Sequence, residues 1–140
     1  MDFRPVIGPF VLPPAERLGV SRGQLLAREA EAWLRENLTE PLTIPDLCLA
    51  VNACERTLHS AFREHMGTTP KLHLKALRLA AAHDELRRAR GGVRISDVAL
   101  RWGFLHFGWF SHDYRQFFGE TPSATLRRSG LRLREHSAAA

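Results

Sequence analysis

The sequence predicts an all-α protein: two copies of one unit (short helix, tight turn, longer helix) joined by a long helix. Three observations carry this. Apolar residues recur three and four positions apart along most of the chain, whereas the strict alternation of a half-buried strand is weak throughout. Proline and glycine cut the periodic stretches into pieces of helix length. The pattern that begins at Ile44 begins again at Ile95.

Four of the eight prolines, Pro5, Pro9, Pro13 and Pro14, fall in the first twenty residues. Proline fixes φ and lacks an amide hydrogen, so residues 1–21 are expected to form an extended arm or linker. From Arg22, "RGQLLAREAEAWLRENL" sets Leu26, Ala30, Trp33, Leu34 and Asn37 at helical spacing, and Pro41 closes the segment. In "LTIPDLCLAVNACERTLHSAFREHMG", Thr43 with Asp46 three residues on resembles a capping box, and Pro45 fits a first helical turn. Ile44, Leu47 and Val51 form one buried stripe; Asn52, which tolerates the left-handed conformation, marks a tight turn after Val51. The helix that follows buries Leu58, Ala61 and Phe62 and stops near Gly67.

Pro70 opens a long helix to about Arg90, with Leu74, Leu77, Ala81, Ala82 and Leu86 on its apolar face and Lys71, Lys75, Arg78, Arg87, Arg88 and Arg90 elsewhere. "RGG" breaks it. Ile95, Val98 and Trp102 then mark a short helix, Gly103 supplies the turn, and a second helix runs from about His106 to Phe118, seated by Phe110, Tyr114 and Phe117. The end, "RRSGLRLREHSAAA", loses periodicity and is expected to be a frayed tail. The resulting division is an arm over 1–21, a first subdomain over 22–70, a linking helix over 71–90, a second subdomain over 91–130 and a tail over 131–140.

Ile44, Asp46, Leu47 and Val51 match Ile95, Asp97, Val98 and Trp102 at an offset of 51. Phe62, Arg63, Gly67 and Pro70 match Tyr114, Arg115, Gly119 and Pro122 at an offset of 52, so the second copy carries one extra residue between turn and second helix. This is the layout of a helix-turn-helix. Small residues, Cys48 and Ala99, stand where the first helix faces its partner, and Asn52 and Gly103 supply the turn. With one side of each second helix holding it in place, the other side can enter a DNA major groove.

Charge agrees. Residues 1–66 hold seven basic and nine acidic side chains; residues 67–140 hold thirteen basic and six acidic, within an overall net charge of +5. A basic half attracts polyanions, nucleic acid above all. The 44% hydrophobic content is ordinary for a globular protein, and no apolar run reaches the ~20 residues of a membrane span, so no membrane partner is expected. With two cysteines and no secretion signal at the start, a disulfide framework is not expected and a reducing cytoplasm is the expected address.

Other chemistries find little support. Cys48, Cys54, His59 and His65 have a C-x5-C-x4-H-x5-H spacing, unlike zinc fingers, so no metal is expected. There is no Gly-rich phosphate loop, no G-x-S-x-G elbow and no paired carboxylates with a pocket around them. "SHDY" brings Ser, His and Asp together only as neighbours on a helix, which face different ways. Neither an enzyme, a cofactor nor a small-molecule site is expected.

"RLAAAHDELRRA", "ISDVALRWGF" and "YRQFFGETPSATLRR" resemble the DNA-binding domain of AraC/XylS-type transcription regulators, over roughly Ala30 to Arg128, with the "GFLHFGWF" to "FGETPSATLRR" phrasing closest to XylS-like members. The resemblance implies about seven helices in two subdomains with homeodomain-like helix-turn-helix units, and two recognition helices that read successive major-groove segments of double-stranded DNA. RNA polymerase is a further implied partner. By position, the base-reading face of the first recognition helix is Arg56, Thr57, His59, Ser60 and Arg63; that of the second is His106, Phe107, Gly108, Trp109, Ser111 and His112. Arg56 is suited to bidentate contact with guanine. Lys71, Arg101, Arg115 and Arg127 are the implied phosphate contacts, helped by helix N-termini near Thr69 and Thr121. The chain departs from the family pattern at Trp109, where Arg is usual, and at Cys54 and Arg94, where a capping side chain is expected. Relatives usually carry a separate effector-binding domain ahead of this part, for which the 140 residues leave no room. A domain-only regulator is therefore the first expectation, and a truncated or decayed fragment acting through protein contacts the alternative.

Overall fold

A computed structural model describes the backbone of residues 20–139 and the side chains of residues 20–131. The arm expected over residues 1–21 lies outside these but for its last two positions. Among the described residues there are seven helices and no strand: α1 (Arg22–Glu36), α2 (Ile44–Val51), α3 (Glu55–Met66), α4 (Pro70–Arg87), α5 (Ile95–Arg101), α6 (Phe107–Phe118) and α7 (Pro122–Ala139). They fall into two compact units. Of the described residues, one unit holds those up to Leu34 and Thr43–Pro70; the other holds Arg35–Leu42 and those from Lys71 on.

In the first unit, the Ser21 hydroxyl accepts the Gln24 amide hydrogen at 3.1 Å and so caps α1. The helix buries Ala27, Ala30 and Leu34; Leu26 and Trp33, expected on its stripe, are only half-buried. α2 opens with the full capping box: the Thr43 hydroxyl accepts the Asp46 amide hydrogen at 3.2 Å, and the Asp46 carboxylate accepts the Thr43 amide hydrogen at 3.0 Å. It ends at Asn52, whose φ of 54° is left-handed. Leu47, Leu58, Ala61 and Phe62 are buried. α3 closes on Gly67 at φ 67°.

The second unit packs Leu79, Ala82 and Leu86 of α4 with Val98 and Ala99 of α5 and Phe110 and Tyr114 of α6. Val93, Ile95, Trp102, Phe104, Phe118 and Leu126 surround this cluster. Arg78 reaches from α4 to two backbone carbonyls between α1 and α2, donating from Nε to Leu38 at 3.0 Å and from Nη2 to Glu40 at 2.6 Å. The segment Arg35–Leu42 thus belongs with the second unit although α1 begins in the first.

A polar chain fastens α7. Tyr114 donates to Thr125 Oγ1 at 2.7 Å, and Thr125 donates to the Glu120 carboxylate, which also pairs with Arg128. With its one proton committed, the phenol oxygen accepts from His83 Nδ1 at 2.8 Å, which places the imidazole proton on that nitrogen. His83 also stacks on Phe118 at 4.1 Å between ring centroids. Burial holds the His83 pKa below its ordinary value and raises that of Tyr114; the Thr125 hydrogen bond, ahead of Arg128, lowers that of Glu120. Farther along α7, the buried Ser129 hydroxyl donates to the Ala89 carbonyl at 2.7 Å.

Further details differ from expectation: Ile44 and Val51, expected to be buried with Leu47, are only half-buried. Phe117, expected to seat α6, is 54% exposed, and Phe118 packs on the core in its place. From Phe110 the buried side continues at Tyr114 and Phe118, four residues apart each time, which leaves position 117 off it. Cys48 is half-buried rather than a core residue. The linking helix stops at Arg87, short of Arg90; it buries Leu79 along with Leu74, Leu77, Ala82 and Leu86, while Ala81 of the expected face is only half-buried. The backbone expected to fray from residue 131 is helical to Ala139, since nothing after Pro122 is a stronger breaker than Gly130, which costs about 1 kcal/mol in a helix.

Candidate nucleic-acid interface

Each unit contains one helix pair of the same construction. The carbonyl of the small residue in the first helix accepts the amide hydrogen of the residue after the turn: Ala53 to Cys48 at 3.1 Å, and Phe104 to Ala99 at 2.9 Å. The turn residues take positive φ, 54° at Asn52 and 90° at Gly103. α3 and α6 are both 12 residues long and start 52 positions apart. Both end on a left-handed glycine, Gly67 and Gly119, and are followed by a fully buried proline, Pro70 and Pro122. Their inner sides coincide, Leu58 with Phe110 and Phe62 with Tyr114, all with no exposure.

The outer sides differ. On α3, Arg56, Thr57, Ser60 and Arg63 are exposed and His59 is half-buried. Glu55, Arg56, His59, Ser60, Arg63 and Glu64 line one shallow groove along this helix. The Glu55 carboxylate lies 3.8 Å from His59 Nε2, a buried ring atom without a hydrogen-bond partner. On α6, Gly108, Trp109 and His112 are exposed, Phe107 is 49% exposed, and Ser111 is half-buried. His106 is the N-cap residue, not the first residue of the helix, and its side chain makes no capping bond. Shifted by 52, Arg56 corresponds to Gly108, Thr57 to Trp109 and Ser60 to His112. At the positions of Arg56 and Thr57 on α3, α6 thus carries no side chain and an indole in place of two hydrogen-bonding groups. A groove beside Trp109 is rimmed by Lys71 and Lys75, and Lys75 holds Asp113 at 3.1 Å.

The caps behave as their residue types dictate. Cys54, N-cap of α3, makes no side-chain bond to the backbone; its thiol lies 3.2 Å from Thr57 Oγ1, and that contact lowers the thiol pKa. Arg94 leaves the α5 N-terminus without a side-chain cap. Lys71, Arg101, Arg115 and Arg127 are all exposed. Arg101 is engaged by Glu85, whose other oxygen accepts from the Trp102 indole at 2.8 Å. Periodicity does not reveal this pairing, because Glu85 lies on α4, the helix before Arg101.

A duplicated helix-turn-helix of this kind defines a class, and the comparisons place the chain in it. A family model described as a helix-turn-helix domain matches residues 47–128. The XylDLEGF operon transcriptional activator of Pseudomonas putida is 35% identical over 109 residues, 77% of this chain and 34% of that protein. A probable AraC family transcriptional regulator from Rhodopseudomonas palustris CGA009 superposes with a TM-score of 0.71 at 33% identity, over 75% of this chain and 97% of that one. The DNA-binding domain of AdpA, a global transcriptional factor solved in complex with a target DNA, superposes with a TM-score of 0.67 at 25% identity, over 76% and 94% of the two chains. The chain belongs to the AraC/XylS-type family of transcription regulators and corresponds to their helix-turn-helix domain. It spans about a third of the length of the curated relatives it matches first. Among the described residues, no helix is long and apolar enough to cross a membrane, and no three His, Cys, Asp or Glu side chains gather into a metal site.

Proposed function

We infer that this chain binds double-stranded DNA sequence-specifically and regulates transcription, with α3 and α6 each entering a major groove. The observation that carries the reading is the two-sidedness of both helices: inner positions buried at matching registers, outer positions exposed and different. Burial on one side fixes a helix while the other stays open to base edges. On α3, Arg56 takes guanine in bidentate fashion, with Thr57, His59, Ser60 and Arg63 as further readers. On α6, His106, Phe107, Gly108, Trp109, Ser111 and His112 form the corresponding face. Lys71, Arg115 and Arg127 contact phosphates and set register; Arg101 does so while held by Glu85. The working division is residues 22–70 as first reader, save Arg35–Leu42, which belong with the second unit, 71–90 as link and 91–130 as second reader, with RNA polymerase the protein partner of the regulator.

Selection of bound duplexes from a random pool tests this. Enrichment of defined sequence blocks is expected, with affinity falling steeply as salt rises. Replacing Arg56 by Ala should erase preference at one guanine, a loss of about 1–3 kcal/mol, with a smaller effect on unselected DNA. Equal losses on selected and random DNA would remove Arg56 from base reading. Binding that ignores both sequence and salt would overturn the whole reading in favour of a protein-contact module.

A further inference from the structure

We propose that the second recognition helix reads thymine through its C5-methyl group, with Trp109 and Phe107 as the specificity-determining surface. This rests on the DNA-binding reading above. Recognition helices meet base edges with their N-terminal residues. Bidentate reading of a purine there needs Arg, Lys, Asn or Gln. From Phe107 to Tyr114 α6 has none of these; its first such residues are Arg115 and Gln116. The register makes the contrast sharp, because the position of Arg56 is occupied on α6 by Gly108 and that of Thr57 by Trp109. A Cβ at Gly108 would have nothing within 4 Å, so the backbone there is open to close approach by a base edge.

Instead of donors, α6 presents apolar surface. Trp109 is 69% exposed and Phe107 49%, and Leu105, just before the helix, is also exposed. The Trp109 ring meets His112 edge-on, with centroids 6.4 Å apart. Neither Trp109 nor Phe107 is needed inside: the core beneath is filled by Phe110 and Tyr114. In the major groove only thymine offers an apolar group to such a surface. Charge fits the same occupant. The groove beside Trp109 carries Lys71 and Lys75, and its one carboxylate, Asp113, is already paired with Lys75. A polyanion meets no uncompensated negative charge there.

The experiment is a parallel selection with the full chain, from a random duplex pool made with thymine and from one made with uracil, which lacks only the methyl group. The thymine pool should yield two blocks, one of them thymine-bearing; the uracil pool should retain only the other. On individual duplexes, thymine-to-uracil exchange in the second block should weaken binding roughly fourfold per methyl, the factor that burying one such group corresponds to. Trp109→Ala, at an exposed position, should bind thymine and uracil duplexes equally while keeping the first block. Identical pairs of blocks from both pools would overturn the proposal and leave the DNA-binding reading intact. So would a Trp109→Ala chain that keeps its thymine preference and loses only transcriptional activation, which would make this surface a protein contact. Failure of both pools to enrich any block would sink the DNA-binding reading itself.

Discussion

Replacing Gly103 by alanine sets the turn of the second unit against that of the first. Gly103 has a φ of 90°, and a Cβ there would lie 3.0 Å from Cζ of Arg78. The guanidinium has little room to give, because Nε is held by the Leu38 carbonyl at 3.0 Å and Nη2 by the Glu40 carbonyl at 2.6 Å. A left-handed backbone costs a residue with a Cβ about 1–2 kcal/mol. Pushing Arg78 off one charged hydrogen bond adds about 1.5 kcal/mol. The expected loss is therefore about 3 kcal/mol. Asn52→Ala, at the matching turn, meets a φ of 54°, closer to the ordinary left-handed region, and should cost about 1 kcal/mol. Urea unfolding followed by far-ultraviolet circular dichroism measures both. A shift in midpoint at constant slope reports stability. Equal losses for the two variants would refute the role given to Arg78. So would an Arg78→Ala, Gly103→Ala double variant whose loss is the plain sum of the single ones, since removing the guanidinium should relieve the clash.

Three further outcomes follow from the packing. Tyr114→Phe removes the phenol between His83 and Thr125 and should cost about 1–3 kcal/mol in the same urea assay, with clear non-additivity when combined with Thr125→Val. The folded-state pKa of His83 is depressed by burial, so its contribution is present in full above pH about 6.5 and is lost as pH falls below that, where the unfolded chain binds the proton first; unfolding midpoints of His83→Gln should fall less than wild type between pH 7.5 and 5.5 (values set by the ordinary histidine range). Cys54→Ser should stabilise α3 by about 0.5–1 kcal/mol through a true N-cap, seen as a raised midpoint with unchanged slope.

Punctuation made most of the fold legible. Thr43 and Asp46 form the capping box their spacing announces, Asn52 and Gly103 take the positive φ their types allow, and both Gly-to-Pro junctions end one helix and start another. These are local rules, and local residues obey them. The seat of α6 was harder to read, because Phe117 and Phe118 are adjacent aromatics and only the buried surface decides between them. The Arg78 clamp, the splitting of Glu85 between Arg101 and Trp102, and the assignment of Arg35–Leu42 to the second unit join residues far apart in sequence, beyond the reach of periodicity. At the candidate interface, register gave the outer residues of both helices. It did not give their degree of exposure, which separates His59 and Ser111 from their open neighbours.

The matched lengths and ends of α3 and α6 divide the chain into parts that tolerate change and parts that resist it. Arg56, Thr57, Gly108 and Trp109 are exposed, so substitutions there come at little cost in folding. Leu58 and Phe110 lie one residue beyond Thr57 and Trp109, and Phe62 and Tyr114 five beyond, all with no exposure; there a truncation to alanine costs about 2–5 kcal/mol. The outer faces of α3 and α6 can therefore diverge independently, each over the same buried register. Exchanging the front of one helix for the front of the other would keep every register on the buried side.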